Sequence, residues 1–530
     1  MKKFSRCVDY SLLFALFLCS MSLFAQNDST LAARLSAIMS RPEYKHSRFG
    51  IEFYSLDTKQ VIYAHNENEL FIPGSTTKLL TMGTALKTLG PDYRFKTRVY
   101  RTGTVAKNGT LKGNIVLVAS GDPDISGRIQ SDGTLAFENE DHSYAGIPGV
   151  KPVPGDPLMV IKELAKQIAD TGIKKVEGQV LVDVSLFPEG ARELVTGVVI
   201  SPIVVNDNLI DIEVTPGKKI GDAASLATAP MTRYATFINT TKTVDAAGKF
   251  DVNLDNKKNP DGTWRVTVTG TVPLGKEETL CIFIVPEPSK FAETVLTEAL
   301  ESDGIRIVPP KSTIVADFNA FKKFYTPENQ LAVHISPPFS QEVKVTLKVS
   351  QNLHASMMPY LLGALSGKPS DDLQQTGFDI EHQMLQRAGL DLSAASQSDG
   401  AGGDALFAPD FIVHYLAFMA AQPFFPTFRS ALPVLGRDGT LADVLKTSPA
   451  AGHIFAKTGT FTIYNALNRN MIVTGKGLAG YIDTANGDHL IFAAYANFIP
   501  VSMESANNGL TEIDDLLGEI AASAYDAPKN

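Results

Sequence analysis

The sequence holds little cysteine, little histidine, a single tryptophan and no long apolar run beyond its leading segment. Of the three cysteines, Cys7 and Cys19 fall in that segment, so once it is removed Cys281 stands alone and no internal disulfide can form. Stability must then come from packing. Cys281 lies in Leu280-Cys281-Ile282-Phe283-Ile284-Val285, the setting of a core residue rather than of a nucleophile. The nine histidines show no ligand-like spacing, which predicts neither a metal nor a cofactor. His354, the one beside a motif, reads as a helix-surface residue. Basic runs are missing as well, and a net charge of −9 argues against nucleic acid as a partner. There is no internal repeat, no low-complexity tract and no Gly-x-Ser-x-Gly elbow, which counts against an α/β-hydrolase.

What is present is a chain of 530 residues, 44% hydrophobic and 20% charged, long enough for several domains with sizeable cores. Lys2, Lys3 and Arg6 precede the apolar run Leu12 to Phe24, and small Ala25 closes it. Residues 1–25 therefore read as a secretory signal peptide, too short to be a membrane span, and the mature chain is expected to be periplasmic or secreted.

The remainder changes texture twice. A first helix through about Met39 and two strands, Phe49 to Ser55 and Gln60 to His65, lead to the stretch Ile72-Pro73-Gly74-Ser75-Thr76-Thr77-Lys78-Leu79-Leu80. From about Arg98 short strands with polar turns dominate, interrupted by helices at Pro157 to Thr171 and Ser289 to Ser302. The segment Ser126 to Asp156, rich in Gly, Pro, Asp and Glu, predicts an exposed loop. After about His334 helices return at Asn352 to Leu365, Gln374 to Ala388 and Pro409 to Ala420. A hairpin about Asn486-Gly487 and a last helix, Asn507 to Ala524, close the chain.

In the Ser75 stretch, Leu79, Leu80, Met82, Ala85, Leu86 and Leu89 recur as on one face of a helix that begins at Ser75. Positions three apart share a face, so the Ser75 hydroxyl and the Lys78 amine can meet. A serine becomes a nucleophile only when something takes its proton, and a lysine can do so if burial keeps it neutral. Taken alone, a serine in such a place is more often a helix cap and a lysine one turn on more often solvated. Two further motifs decide: Ser350-Gln351-Asn352, then Lys457-Thr458-Gly459-Thr460. Neither Ser-x-x-Lys nor Lys-Thr-Gly recurs, and the other Ser-x-Asn, Ser505-Ala506-Asn507, follows Lys457 and so stands in the wrong order. Ser350 can relay a proton to a leaving amine, and Asn352 can hold Lys78 while donating to a substrate amide. Lys457 and Thr458 suit a free carboxylate, Gly459 admits a close backbone, and the Thr460 and Ser75 N–H groups can form an oxyanion hole.

The ordered trio resembles that of penicillin-binding proteins and serine β-lactamases. Residues 26–97 and 335–530 suffice for one domain of that kind, which leaves 98–334 as an insertion. This arrangement is similar to the class C low-molecular-mass penicillin-binding proteins, the D-alanyl-D-alanine carboxypeptidase/endopeptidases of the penicillin-binding protein 4 type, peptidase family S13. Further segments carry the likeness: Gly109 to Val118 running into Gly121-Asp122-Pro123, Ile173 to Gly178, and Leu432 to Leu441. The resemblance implies an α/β fold: a transpeptidase/β-lactamase-like domain, an antiparallel sheet with helices on both faces, split by two nested, mostly β inserted domains, the inner one at about 121–215. It also implies stem peptides of peptidoglycan ending in D-Ala-D-Ala as substrates and β-lactams as covalent inhibitors.

Three features depart from the family pattern: Ala401-Gly402-Gly403-Asp404 after Asp399-Gly400, Ser356 where a Glu is usual, and a longer stretch from Asn465 to Gly477. Two rival readings stay open, a β-lactamase and a non-catalytic wall-binding scaffold. Nothing in the sequence speaks to oligomeric state.

Overall fold

The structure is a computed structural model that describes residues 31–310, 317–507 and 510–526. The expected signal peptide and the start of the first helix lie outside the described residues. One antiparallel sheet organises the catalytic half, in the order Gln60–His65, Arg48–Ser55, His489–Asn497, Asn470–Asp483, Ile454–Asn465. The short strand Ile499–Val501 pairs with Asn470–Asp483 as well. Its strands come from both ends of the chain and none from the middle.

Side chains alternate across this sheet, as the two-residue period of a strand requires. Phe49, Ile51 and Phe53, with Leu490, Phe492 and Ala494, pack against residues 31–39 and the helix Thr511–Tyr525. Arg41, just past the first helix, forms an ion pair with Glu519 of the last. On the other face Ile491, Ala493, Tyr495 and Tyr481 meet the helices Lys78–Leu89, Asn352–Leu365 and Pro409–Ala420. The last helix starts at Thr511, after a separate turn at Met503–Asn507, rather than running unbroken from Asn507.

One residue breaks the alternation of apolar types. Glu52 is fully buried and neither of its carboxylate oxygens has a partner. Burial, reinforced by Asp410 and Glu67, pushes its carboxyl up to about 8. The folded protein thus keeps a proton that the unfolded chain releases above its ordinary range, so stability is full at low pH and falls as pH rises toward that value. Glu52→Gln is expected to melt higher than the wild type at about pH 8 and nearly level with it at about pH 5. Calorimetry at the two pH values checks this, and an equal shift at both would contradict it.

The insertion is built from four small sheets. Gln330–Ile335, Lys96–Arg101, Ile115–Val118 and Val180–Asp183 form one, and Arg306–Val308, Lys175–Glu177, Thr110–Lys112 and Thr104–Val105 another. The helices Met159–Asp170 and Pro288–Ser302 pack with them around Val99, Leu117, Ile161, Leu164, Phe291 and Val295. Residues 121–215 do not form a sheet of their own. Lys175–Glu177 and Val180–Asp183 pair in parallel with strands before residue 121, and the unit whose strands pair only among themselves spans Leu209–Ile284. Parallel partners distant in sequence leave no local signature in the sequence.

The segment Ser126 to Asp156 also differs from the exposed loop its composition predicts. It has little regular structure, yet Ser126, Arg128, Asp141, His142 and Ser143 are buried. Part of its charge is consumed internally: Arg128 donates to Asp141 at 2.8 Å and to Asp207 at 2.7 Å, while Asp132, Glu138, Lys151 and Asp156 stay exposed.

Candidate active site

Pro73 and Gly74 turn the chain into one turn of 3-10 helix, Gly74–Thr77, which continues as the α-helix Lys78–Leu89. The regular helix therefore begins at Lys78, and Ser75 sits on the tighter turn before it. Lys78 is fully buried, with Nζ 2.7 Å from Ser75 Oγ and 3.3 Å from Ser350 Oγ. Its other neighbours, Asn352 Oδ1 at 2.5 Å and the Ala401 carbonyl at 3.4 Å, can only accept. A neutral amine has two N–H groups for those two acceptors and one lone pair for a hydroxyl. Burial pushes Lys78 down to about 7, against the pull of Glu193, Asp399 and Asp141 toward the charged form.

The structure brings the other predicted residues to the same point. Ser350 Oγ accepts from Lys457 Nζ at 2.8 Å and thus bridges the two amines. Lys457 also donates to the Thr458 carbonyl at 2.9 Å, and Thr458 Oγ1 lies 2.8 Å from Thr440 Oγ1. Burial, and after it the neighbouring Lys78, pushes Lys457 well below its ordinary value, so an arriving carboxylate would restore its charge. Thr460 Oγ1 accepts from Lys476 Nζ at 2.7 Å, and Lys476 pairs with Asp514. Ser75, Ser350, Asn352, Thr458, Gly459 and Thr460 line a cleft of about 470 Å³.

Gly459 has a nearer reason to be glycine than substrate access. A Cβ there would lie 2.1 Å from the Pro73 carbonyl oxygen and 2.9 Å from the Ser75 nitrogen. Across the same contact, a Cβ on Gly74, whose φ is +52°, would lie 2.6 Å from the Thr460 nitrogen. The two glycines let the edge strand Ile454–Asn465 seat directly on the turn that carries Ser75.

The departure after Gly400 keeps the lysine in place. Asp399 accepts from the backbone of Ala401, Gly402 and Asp404, each at 2.7 Å, and the loop so folded points the Ala401 carbonyl at Lys78. The long stretch after Asn465 extends the strands Ile454–Asn465 and Asn470–Asp483 into a hairpin whose turn residue Leu467 is 89% exposed.

Sequence reasoning missed how the inserted region holds this centre. Ser350 has φ +61°, a left-handed conformation costly for a serine. Its carbonyl accepts from the Tyr144 hydroxyl at 2.7 Å. Gln351 donates to Asp141 at 3.2 Å and caps the following helix by accepting from the His354 backbone at 3.2 Å. His354 is not on the surface but fully buried, with Nε2 2.9 Å from Asp207 Oδ1. The signal was available: Leu353, Ala355, Met357, Met358, Leu361 and Leu362 make its helix apolar all round, and a histidine in such a helix is enclosed. Nothing in the sequence pointed to Tyr144. Tyr144→Phe removes one hydrogen bond to a strained residue and is expected to slow acylation by a β-lactam roughly tenfold. Stopped-flow or gel labelling reads the rate, with Ser75 left intact.

His142 completes the buried network, with Asp211 at 2.8 Å and Asp207 at 2.9 Å on its two nitrogens. Those carboxylates raise it to about 10 in spite of burial, and Arg128, His142 and His354 hold Asp207 well below the usual carboxylate range.

A serine with a buried lysine one turn on, faced by a second serine and a second lysine at the edge of an antiparallel sheet, defines a serine hydrolase of the acyl-enzyme type. The profile of the D-Ala-D-Ala carboxypeptidase 3 (S13) family matches residues 31–520, and the chain belongs to that family. The D-alanyl-D-alanine carboxypeptidase of Actinomadura sp. (strain R39) is 25% identical over 460 residues, 82% of this chain and 77% of that one. D-alanyl-D-alanine carboxypeptidase DacB of Haemophilus influenzae is 23% identical over 473 residues, 85% of each chain. Among solved structures, penicillin binding protein 4 (dacB) from Haemophilus influenzae matches with a TM-score of 0.67 at 19% identity, over 92% of this chain and 99% of that one. The fold is the transpeptidase/β-lactamase-like one with inserted domains.

Proposed function

We propose that the chain is a serine DD-carboxypeptidase, acting also as a DD-endopeptidase, that cuts peptidoglycan stem peptides ending in D-Ala-D-Ala and the cross-links made from them. The observation that carries this is the buried Lys78 amine at 2.7 Å from Ser75 Oγ, with its two N–H groups matched by Asn352 and Ala401. Ser75 attacks the carbonyl of the penultimate D-Ala while Lys78 takes its proton. The oxyanion is held by the backbone N–H groups of Ser75 and Thr460. As the C–N bond breaks, the proton passes through Ser350 to the leaving amine. Water then attacks the ester by the reverse route, giving a free carboxylate and restoring Ser75. Lys457 and Thr458 hold the terminal carboxylate, and Asn352 donates to the substrate amide.

Mass spectrometry of purified muropeptides after incubation tests this, with loss of terminal D-Ala and splitting of dimers scored separately. Unchanged muropeptides would overturn it. A β-lactam, as a mimic of the acyl-D-Ala-D-Ala end, should leave a long-lived adduct on Ser75. Rapid release of hydrolysed penicillin would favour a β-lactamase instead.

Because the base must be neutral, acylation at subsaturating β-lactam is expected to rise with pH, pass half-maximum near the Lys78 value of about 7, and level off above it. A rate that is flat or falls across that range would exclude Lys78 as the base. We place the protein outside the cytoplasm on the strength of residues 1–25, and N-terminal sequencing of the exported form should begin at Gln26.

A further inference from the structure

We propose that Asp124, Glu342 and His354 form a structural site for one divalent transition-metal ion, zinc first among them, which pins the inserted region to the helix that follows Ser350. The three come from three separate elements: the loop after Ile115–Val118, the helix Phe339–Lys348 and the helix Asn352–Leu365. Their ligand atoms lie within 4.8 Å of one another, and all three residues are buried. This site lies behind the catalytic centre and is independent of the peptidase reading.

Proximity alone would not make a site. The second observation is that Asp124 Oδ1, Glu342 Oε2 and His354 Nδ1 are all enclosed and, among the described residues, without a hydrogen-bond partner. An unsatisfied buried polar atom costs about 1–3 kcal/mol, so three of them on residues whose ligand atoms cluster within 4.8 Å call for a common occupant. Glu342 Oε1, which accepts from the Thr346 hydroxyl at 2.6 Å, also comes within 3.2 Å of His354 Nδ1, so the metal would take the place of a proton between the two.

The tautomer points the same way. Asp207 Oδ1 sits 2.9 Å from His354 Nε2 and accepts its N–H, so a metal that displaced the Nδ1 proton would find the ring already held in the tautomer that ligates through Nδ1. A carboxylate behind a histidine that ligates through its other nitrogen is the usual support of a metal-bound imidazole.

Charge supplies a third argument. The buried carboxylates Asp122, Asp124, Asp141, Asp207, Asp211 and Glu342 outnumber the buried Arg128 and the three buried histidines, His142, His334 and His354, that face them. Uncompensated charge in a dry interior is expensive, and a divalent ion offsets it without protonating Asp124. The neighbouring trio Asp141, His142 and Asp207 cannot serve, because Arg128 bridges its carboxylates and both nitrogens of His142 are engaged. One imidazole among carboxylates favours zinc or manganese over calcium and magnesium, which take oxygen alone.

The test uses the whole purified protein, prepared without chelators. Elemental analysis should find close to one zinc or manganese per chain. Stripping with a chelator should lower the melting temperature by roughly 5 °C, restored by zinc chloride and not by magnesium chloride. Asp124→Asn and His354→Gln should lose the metal, while Asp141→Asn keeps it. Metal-free protein whose melting point is indifferent to zinc overturns the proposal in favour of a cluster neutralised by protons, and so does metal retained by both variants. Should either variant fail to fold, absorption at the metal edge of the wild type decides: a shell of one nitrogen with oxygens supports the site, and a sulfur-containing or all-oxygen shell overturns it. Penicillin labelling of Ser75 in the same samples separates failure of this site from failure of the peptidase reading.

Discussion

Ser75→Ala is expected to abolish labelling by fluorescent penicillin and release of D-Ala, and Lys78→Met to slow acylation by about 10³-fold with the Ser75 hydroxyl still present. The two substitutions probe different quantities. Removing Oγ removes the atom that forms the ester, so no adduct can accumulate at any time. Removing Nζ leaves the nucleophile but deprives it of the amine that lies 2.7 Å away, and Lys457 contacts Ser350 rather than Ser75. A methionine fills much of the same enclosed volume, so the loss reads proton transfer more than packing. It should also flatten the pH profile. If Lys78→Met labels at the wild-type rate, the base lies elsewhere and the proposed mechanism fails at its first step.

Gly459→Ala is expected to cost acylation at least about 10²-fold, through a contact that involves no catalytic side chain. The added methyl group would meet the Pro73 oxygen at 2.1 Å and the Ser75 and Thr76 nitrogens at 2.9 Å. All three are backbone atoms, so no rotamer can relieve the clash. Either the edge strand or the nucleophile turn must shift by roughly an ångström, a displacement that separates the Ser75 and Thr460 N–H groups from the position of the oxyanion. Destabilisation of about 1–3 kcal/mol should accompany it. Acylation kinetics set beside a melting curve check the pair, and a folded variant with wild-type acylation would show that the contact has slack.

The parts of the molecule legible in the sequence are those whose physics is local. Helix ends at Asn352–Leu365 and Pro409–Ala420 follow from capping and a 3.6-residue period, and the hairpin at Asn486-Gly487 from its turn dipeptide. The catalytic trio was legible for another reason, because three short motifs in a fixed order constrain each other. What stayed hidden depends on partners far along the chain. The parallel pairing of Val180–Asp183 with Ile115–Val118, the burial of Asp141 and His142, and the hold of Tyr144 on Ser350 exist only once the chain is folded. Composition misjudged the 126–156 segment because it treats charge as a mark of solvent, whereas Arg128, Asp141 and Asp207 solvate one another. Gly459 was placed in the right motif but for a contact with substrate, when its nearest neighbour is the Pro73 carbonyl.

The shared sheet also imposes a timetable. Arg48–Ser55 is made early, yet its neighbour in the sheet is His489–Asn497, synthesised long after it. The nucleophile turn likewise waits for Ser350 and then for Lys457. Contacts of such long reach form slowly, so during synthesis the early strand pair has an open edge and the serine has no finished pocket. A ribosome that stalls anywhere before residue 457 leaves an inert chain, so premature termination yields fragments that need clearing but cannot cut the wall.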